Sequence, residues 1–472
     1  MLPVARNCAI FPSILPVGKE SVLTAVPMGK TFLFFDGKEY KVTIINVFGD
    51  EKDYYEPETH IHLTVTAENG ILKFPLTAPN EGEYMIIVEY NEKKLFEQNV
   101  YALEEDLYGL RPLKGDLHSH TYRSDGTVDP AALASHYRES GYDFFALTDH
   151  NRFYPGEEID ESYADVTTGL TRVKGEEVHA PYCPVHIVHV GGQSSVAEIY
   201  WKDKARYDRE VEECFKRVPA EVPEEYRDRY ARALWVTDSI HAAGGVAIFP
   251  HPFWRSGRSK MHNVCDELAA IFLKSGMFDS FELLGGGGIA AYNKTSAFWG
   301  DLRAQGCDIP VVSSSDSHKI GPGEIGFGNL FTLCFAKDSD GDAIAQAVKD
   351  GLTVAVQGEG SGYDRIYHCH GSYRLVCYAL FLLNNYFPER QGIAESAGHA
   401  MRQHALGLNR KAVIDGLAEM SEDHYLRFFG RIAPLVPSEE VIAFEEKWRA
   451  VQMDGPTSKG SKIYGTGITR QL

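Results

Sequence analysis

Long apolar runs are missing from this chain. The longest, such as "GGVAIFP" and "LVCYALFLL", fall well short of the ~20 residues a membrane-spanning helix requires, so no such helix and no membrane partner is expected. Basic charge is also scarce: 47 Lys and Arg stand against 66 Asp and Glu, for a formal net charge of −19. A field of that sign repels long polyanions, because nucleic acid needs a dense basic footprint to release its counterions. No nucleic-acid partner is expected; a small phosphorylated molecule held through a metal remains compatible. Paired cysteine motifs are absent too. Cys8, Cys183, Cys214, Cys265, Cys307, Cys334, Cys369 and Cys377 lie scattered with no CxxC, which reads as free thiols in a reducing cytoplasm. The opening "MLPVARNCAIFPSILPVGKE" is broken by Pro3, Pro12 and Pro16 and is followed by no clear small-residue cleavage site, so it is not read as a signal peptide.

What is present is an ordinary globular composition, 44% hydrophobic and 24% charged over 472 residues, enough for about two to three domains. Residues 1–108 alternate apolar and polar positions in "KEYKVTIINVF", "HIHLTVTA", "ILKFPLTA" and "GEYMIIVEYN", with turns at "AENG" and "APNEGEY". That pattern predicts a small antiparallel, immunoglobulin-like β-sandwich. His60 and His62 sit in it without a following acidic cluster and read as one face of a strand. From 113 to 358 short apolar strands alternate with helices. Such alternation predicts a parallel sheet, and this many units suggest a closed barrel. The charged stretch at about 198–232 reads as a helical insertion with a solvated face, and residues 365–472 as a helical extension with a polar, loose tail.

The predicted strand ends are rich in metal-ligand residue types. "DLHSH" offers His118 and His120, which at i, i+2 of a strand point the same way, and Asp125 follows in "SDG". "LTDH" offers Asp149 and His150, "KGEEV" offers Glu176 and Glu177, and "PVHIVHVGG" offers His186 and His189. His251 precedes Pro252, Glu282 lies in "FELLG", and "SSSDSH" offers Asp316 and His318. Gathering so many unpaired ionisable groups at one mouth is costly unless cations compensate them. Mixed imidazole and carboxylate ligands suit Zn, Mn or Fe better than Mg or Ca.

"GDLHSHTYRSDG", "GYDFFALTDHN", "GEE", "GGVAIFPHP" and "SSSDSH", in that order, resemble the polymerase-and-histidinol-phosphatase (PHP) domain over roughly residues 113–356. The resemblance implies a distorted (β/α)7, TIM-like barrel with two or three divalent transition-metal ions, many members hydrolysing phosphate esters. Carried over, His118, His120, Glu177 and Asp316 would hold one ion, and Glu177, His186 and His251 a second. Asp125, His150 and His318 match the third-ion positions; Asp125 stands where phosphatase members often have His. His186 is preferred to His189 by its offset from Gly191. Glu177, Asp316 and His318 are the expected catalytic positions. Asp149, His189 and Glu282 are expected just behind the ligands, with Asp149 orienting an imidazole.

The expected activity is metal-assisted hydrolysis of a small phosphorylated metabolite, in which water activated on an ion attacks phosphorus. Arg255 and Arg258 in "HPFWRSGRSK" and Lys319 in "SDSHKIGPG" are the expected phosphate contacts. Two alternatives stand beside it: a metallohydrolase for a non-phosphate ester, amide or glycan-derived compound, and a non-catalytic, metal-stabilised binding module.

Overall fold

The computed structural model describes residues 7–30, 33–50, 55–255, 260–321, 324, 326–360 and 365–453. These divide into two compact units, one within Gly109–Glu422 and one combining residues within Val4–Tyr108 and Asp423–Leu472.

In the latter, period-2 sequence becomes strand. β1 (Cys8–Phe11), β3 (Glu20–Pro27) and β6 (Leu72–Thr77) form a three-stranded antiparallel sheet. β2 (Ile14–Pro16), β4 (Glu39–Asn46), β5 (Ile61–Thr66), β7 (Gly82–Tyr90) and β8 (Lys93–Leu103) form a five-stranded sheet in the order β2-β8-β7-β4-β5, with β2 parallel to β8. Side chains of β6 alternate strictly between buried and exposed, as a sheet with one buried face demands. Leu23, Val42, Phe74, Ile86 and Val88 share one core. At "AENG" the bridge Glu68–Ile71 closes around Asn69 and Gly70, both at positive φ, a conformation that suits Asn-Gly. His62 lies in β5, with Nδ1 3.2 Å from Thr43 Oγ1.

In the other unit, β9 (Arg111–Asp116), β10 (Phe144–Ala146), β11 (Thr171–Val173), β17 (Leu330–Ala336), β18 (Thr353–Glu359) and β19 (Ile366–His370) form one sheet, ordered β11-β10-β9-β17-β18-β19. β12 (Gly175–Val178), β13 (Ile187–Gly191), β14 (Gly245–Phe249), β15 (Ser280–Leu284) and β16 (Val311–Ser313) form a second in chain order. β10, β14, β15 and β16 are buried along their whole length, hence their mostly apolar spelling, which Ser280 and Glu282 interrupt in β15. The expectation of a parallel sheet holds for β9–β10–β11 and β14–β15–β16 but not for β12–β13 and β13–β14, nor for β17 against β9 and β18, all of which are antiparallel. Between β12 and β13 the reason is length: the few residues after Val178 are too short for a parallel crossover.

Backbone hydrogen bonds tie the sheets together just beyond the strand ends. His120 N donates to Ser317 O (2.9 Å) and Asp316 N to His118 O (3.0 Å), while Glu177 N donates to Thr148 O (3.0 Å) and Asn151 N to Glu177 O (2.8 Å). The charged insertion is helical at Ala197–Lys202, Lys204–Lys216 and Arg227–Ala242.

After β9 the helix Pro130–Glu139 starts on Asp129, whose side chain accepts from Ala132 N, a cap worth ~1 kcal/mol. Residues beyond 365 include β19 as well as helices. The helix Phe387–Ala405 packs on Pro130–Glu139 at Gly398, where a Cβ would meet Ser135 O at 2.5 Å. Its Arg390 makes a bidentate pair with buried Asp143, Nη2 to Oδ1 at 2.7 Å and Nη1 to Oδ2 at 3.2 Å. Among the described residues no helix is long and apolar enough to cross a membrane.

Candidate metal centre

The two imidazoles of "HSH" leave the end of β9 side by side, fully buried, with Nε2 atoms 3.2 Å apart. His118 Nδ1 lies 2.9 Å from Glu282 Oε2. That carboxylate fixes the ring so that Nε2 faces inward, as partners behind metal ligands do. The "SDG" turn requires its glycine: a Cβ at Gly126 would sit 2.6 Å from His120 O.

Glu177, on β12, is the centre of the cluster. Its Oε2 lies 3.3 Å from His118 Nε2, 3.3 Å from His120 Nε2 and 2.8 Å from His150 Nδ1. Its Oε1 lies 2.7 Å from His186 Nδ1 and 3.3 Å from His251 Nε2. Asp316 closes the other side, with Oδ1 3.4 Å from His118 Nε2 and 3.2 Å from His120 Nε2. Two of these residues sit on unusual backbone, His251 at φ 26 and Asp316 at φ 50. Such conformations cost of order 1–3 kcal/mol and concentrate at functional sites. The glycine run "LLGGGG" passes against them: at Gly286 a Cβ would meet Asp316 Oδ2 at 2.7 Å and His251 Cβ at 2.9 Å.

Toward solvent, Asp125 is 55% exposed along its side chain, with Oδ2 3.4 Å from His150 Nε2 and Oδ1 3.4 Å from His318 Nε2. His318 Nδ1 lies 2.9 Å from the Asp316 carbonyl, so a proton there leaves Nε2 as the free lone pair.

The electrostatics reflect this crowding. Burial works against the protonated form of His118, but the charges of Asp316, Glu177 and Glu282 outweigh it and hold its pKa well above the usual value. Burial is likewise overridden at His120 by hydrogen bonds to Asp316 and Glu177, which take it to about 9. Burial alone would raise the Glu177 carboxyl, yet the surrounding imidazoles hold it well below the ordinary range. Without a metal, the carboxylates favour the protonated forms of His118 and His120.

The donor set fits divalent metal. Four groups bring ligand atoms within 4.8 Å of one another: His118/His120/Glu177, His118/His251/Asp316, His120/Asp125/His150/His318 and His150/Glu177/His179/His186. Among the described residues, buried His120 Nδ1, His179 Nε2 and His251 Nδ1 have no hydrogen-bond partner, and Glu177 Oε2 faces three imidazole nitrogens without a well-aligned one. A bound cation accounts for such orphaned atoms only where they face it, as Glu177 Oε2 does.

His179 escaped the sequence reading. Its signal was the i, i+2 spacing from Glu177, the same spacing that marks His118 and His120; its ring centroid lies 3.3 Å from that of His186. His189 is placed elsewhere, with Nδ1 3.5 Å from Glu176 Oε1 on the opposite side of the strand and its ring stacked on Phe153. Among the described residues Asp149 accepts from Thr121 N (2.8 Å), Thr121 Oγ1 (2.6 Å) and Ser124 Oγ (2.6 Å) rather than from an imidazole, fixing the turn that carries Asp125; the carboxylate that faces His118 Nδ1 is Glu282. Arg255 and Lys319 are exposed, and among the described residues no Arg or Lys ion-pairs with the Glu177, Asp316 or Asp125 carboxylates. Arg258 lies outside the described residues.

No family model matches the chain, and no curated protein does. Similar solved structures include a two-domain protein from Bacteroides vulgatus described as containing a predicted PHP-like metal-dependent phosphoesterase, 20% identical, with 53% of this chain and 66% of that one covered at a TM-score of 0.36. An amidohydrolase from Chromobacterium violaceum is 20% identical, with 45% of this chain and 89% of that one covered at a TM-score of 0.31.

Proposed function

We propose that this protein is a PHP-type, metal-dependent hydrolase that cleaves a phosphate ester of a small molecule, on a distorted seven-stranded barrel preceded by a β-sandwich. The observation carrying this reading is the convergence of the His118, His120, His150, His186 and His251 imidazoles on the single buried carboxylate of Glu177. No ordinary packing need calls for it, and burying such a group uncompensated would be costly.

In this reading His118, His120, Glu177 and Asp316 hold one Zn, Mn or Fe ion, and Glu177, His186 and His251 a second, with His179 beside them. Asp125, His150 and His318 offer a third position. When bound, such ions neutralise phosphoryl oxygens and acidify water. The chain's own residues prepare that chemistry. Glu282 presents the His118 Nε2 lone pair inward. Asp149 holds the turn carrying Asp125. His318, at the exposed rim, would offer Nε2 to an ion or, as the imidazolium, donate its Nε2 proton to the departing oxygen. Trp254 stands beside the residues of the second ion, with ring centroids 6.1 Å from His186 and 6.2 Å from His251.

A second reading, hydrolysis of a non-phosphate ester or amide, is favoured by one observation: Arg255 and Lys319 stand outside the cluster, whereas a phosphate dianion gains from cationic side chains. A screen of metal-reconstituted protein against phosphate mono- and diesters, carboxylic esters and amides separates the two. Phosphate release by wild type and not by His120→Ala is expected; carboxylic ester or amide hydrolysis without phosphate release would overturn the first reading.

A further inference from the structure

Beside Lys114 of β9 the same unit has an open cavity of about 600 Å³. Lys114, on its wall, precedes His118 by four residues, so at a strand rise of ~3.3 Å per residue it lies ~13 Å from the metal centre along the chain. Lys114 Nζ donates to Ser140 O at 3.0 Å and sits 4.5 and 4.7 Å from the Tyr142 and Phe331 ring centroids. Across the cavity Arg365 donates to Gly328 O at 2.7 Å and stacks over Tyr367 at 5.6 Å.

Among the described residues neither cation has a carboxylate partner, although acids are near. Asp143 is taken up by Arg390 and Arg138, and Glu139 by Arg402. Glu395 lines the cavity from an exposed position. In a chain of net charge −19, two unpaired cations over an aromatic wall form a local inversion of sign. Burial, reinforced by the charge of Arg365, pushes the Lys114 ammonium down to about 7, the response expected of a buried cation lacking its counterion.

We propose that this cavity is a second binding site, one that takes a small organic anion: an oxyanion group between Lys114 and Arg365, carried on a flat apolar body lying against Phe331, Tyr367 and Phe387. Its volume falls within the range of about 300–1,000 Å³ typical of small-ligand pockets. The inference does not depend on the activity of the metal centre.

Calorimetric titration of the full chain with 1-naphthoate, 1-naphthyl phosphate and uncharged 1-naphthol tests it, with Lys114→Met and Arg365→Gln as variants. At least one anion should bind more tightly than naphthol by about tenfold or more, and each variant should remove that preference. The anion that binds names the head group. At pH 8 binding should take up a proton, seen by comparing buffers of different ionisation heat, because an anion restores the ammonium of Lys114. Absence of any preference over naphthol, or a preference unchanged in both variants, would overturn the proposal; the latter is what binding at the metal centre would give. Should the variants fail to fold, diffraction from wild-type crystals soaked in 4-bromo-1-naphthoate decides: a bromine peak against Phe331, Tyr367 and Phe387, with the carboxylate between Lys114 and Arg365, supports the site, and absence of any peak in this cavity overturns it.

Discussion

Replacing Glu177 with Gln perturbs the proposed centre with the least collateral change. The amide keeps the carboxylate's size, so no cavity opens and packing around β12 is retained. The charge that five imidazoles face at 2.7–3.3 Å is lost. Removing a group that merely orients a ligand lowers metal affinity by about 10–100-fold. Glu177 itself is within ligand reach in the groups His118/His120/Glu177 and His150/Glu177/His179/His186. The combined loss should therefore be at least ~100-fold, equivalent to about 3 kcal/mol. Elemental analysis after dialysis against a graded chelator series reads it, with circular dichroism confirming that the variant is folded. A Glu177→Gln protein that retains wild-type metal content and chelator resistance would refute the reasoning, since the central carboxylate would then be structural.

Three further outcomes follow. Metal-stripped protein should lose stability as pH rises from 6.5 to 9. His120, with an ordinary value of 6.5 and a folded value of about 9, stabilises fully below the former and ceases to do so above the latter, a difference of about 3 kcal/mol; Glu177, depressed in the fold, adds stability above its ordinary value of 4.5 that is lost only on acidification. Metal-loaded protein should show the opposite slope over pH 6.5–9, since ligands must shed protons to bind, and parallel thermal melts of the two forms would contradict this. Arg390→Met should cost about 3–5 kcal/mol by leaving Asp143 short of its bidentate partner in a buried site, with Asp143→Asn added to it restoring part of the loss in thermal unfolding. His186→Ala should lower metal content while His189→Ala leaves it unchanged, as equilibrium dialysis would show; equal effects would contradict the placement of His189 against Glu176.

The legible parts of the sequence were those with local periodicity. HxH just past the end of β9 and the adjacent pair Glu176/Glu177 follow from side-chain alternation in a strand. The buried strands followed from apolar spelling. The mouth of the centre was harder, because Asp149 and His150 lie beyond β10 and the Asp149 carboxylate is held by Thr121 and Ser124 rather than by strand period. His179 carried the right spacing but stood one residue beyond the strand that the sequence marks. The antiparallel pairing of β13 depends on connection geometry, and the pairing of β19 with β18 lay in a segment read as helical. No local signal could have paired Arg390 with Asp143, 247 residues earlier.

Anomalous diffraction from crystals of the full chain grown with Mn or Zn decides whether a metal centre gathers around Glu177. At least one peak bounded by His118, His120, Glu177 and Asp316 is expected, absent from the His120→Ala protein. Ordered wild-type crystals without a peak at that position, in excess metal at neutral pH, would contradict such a centre.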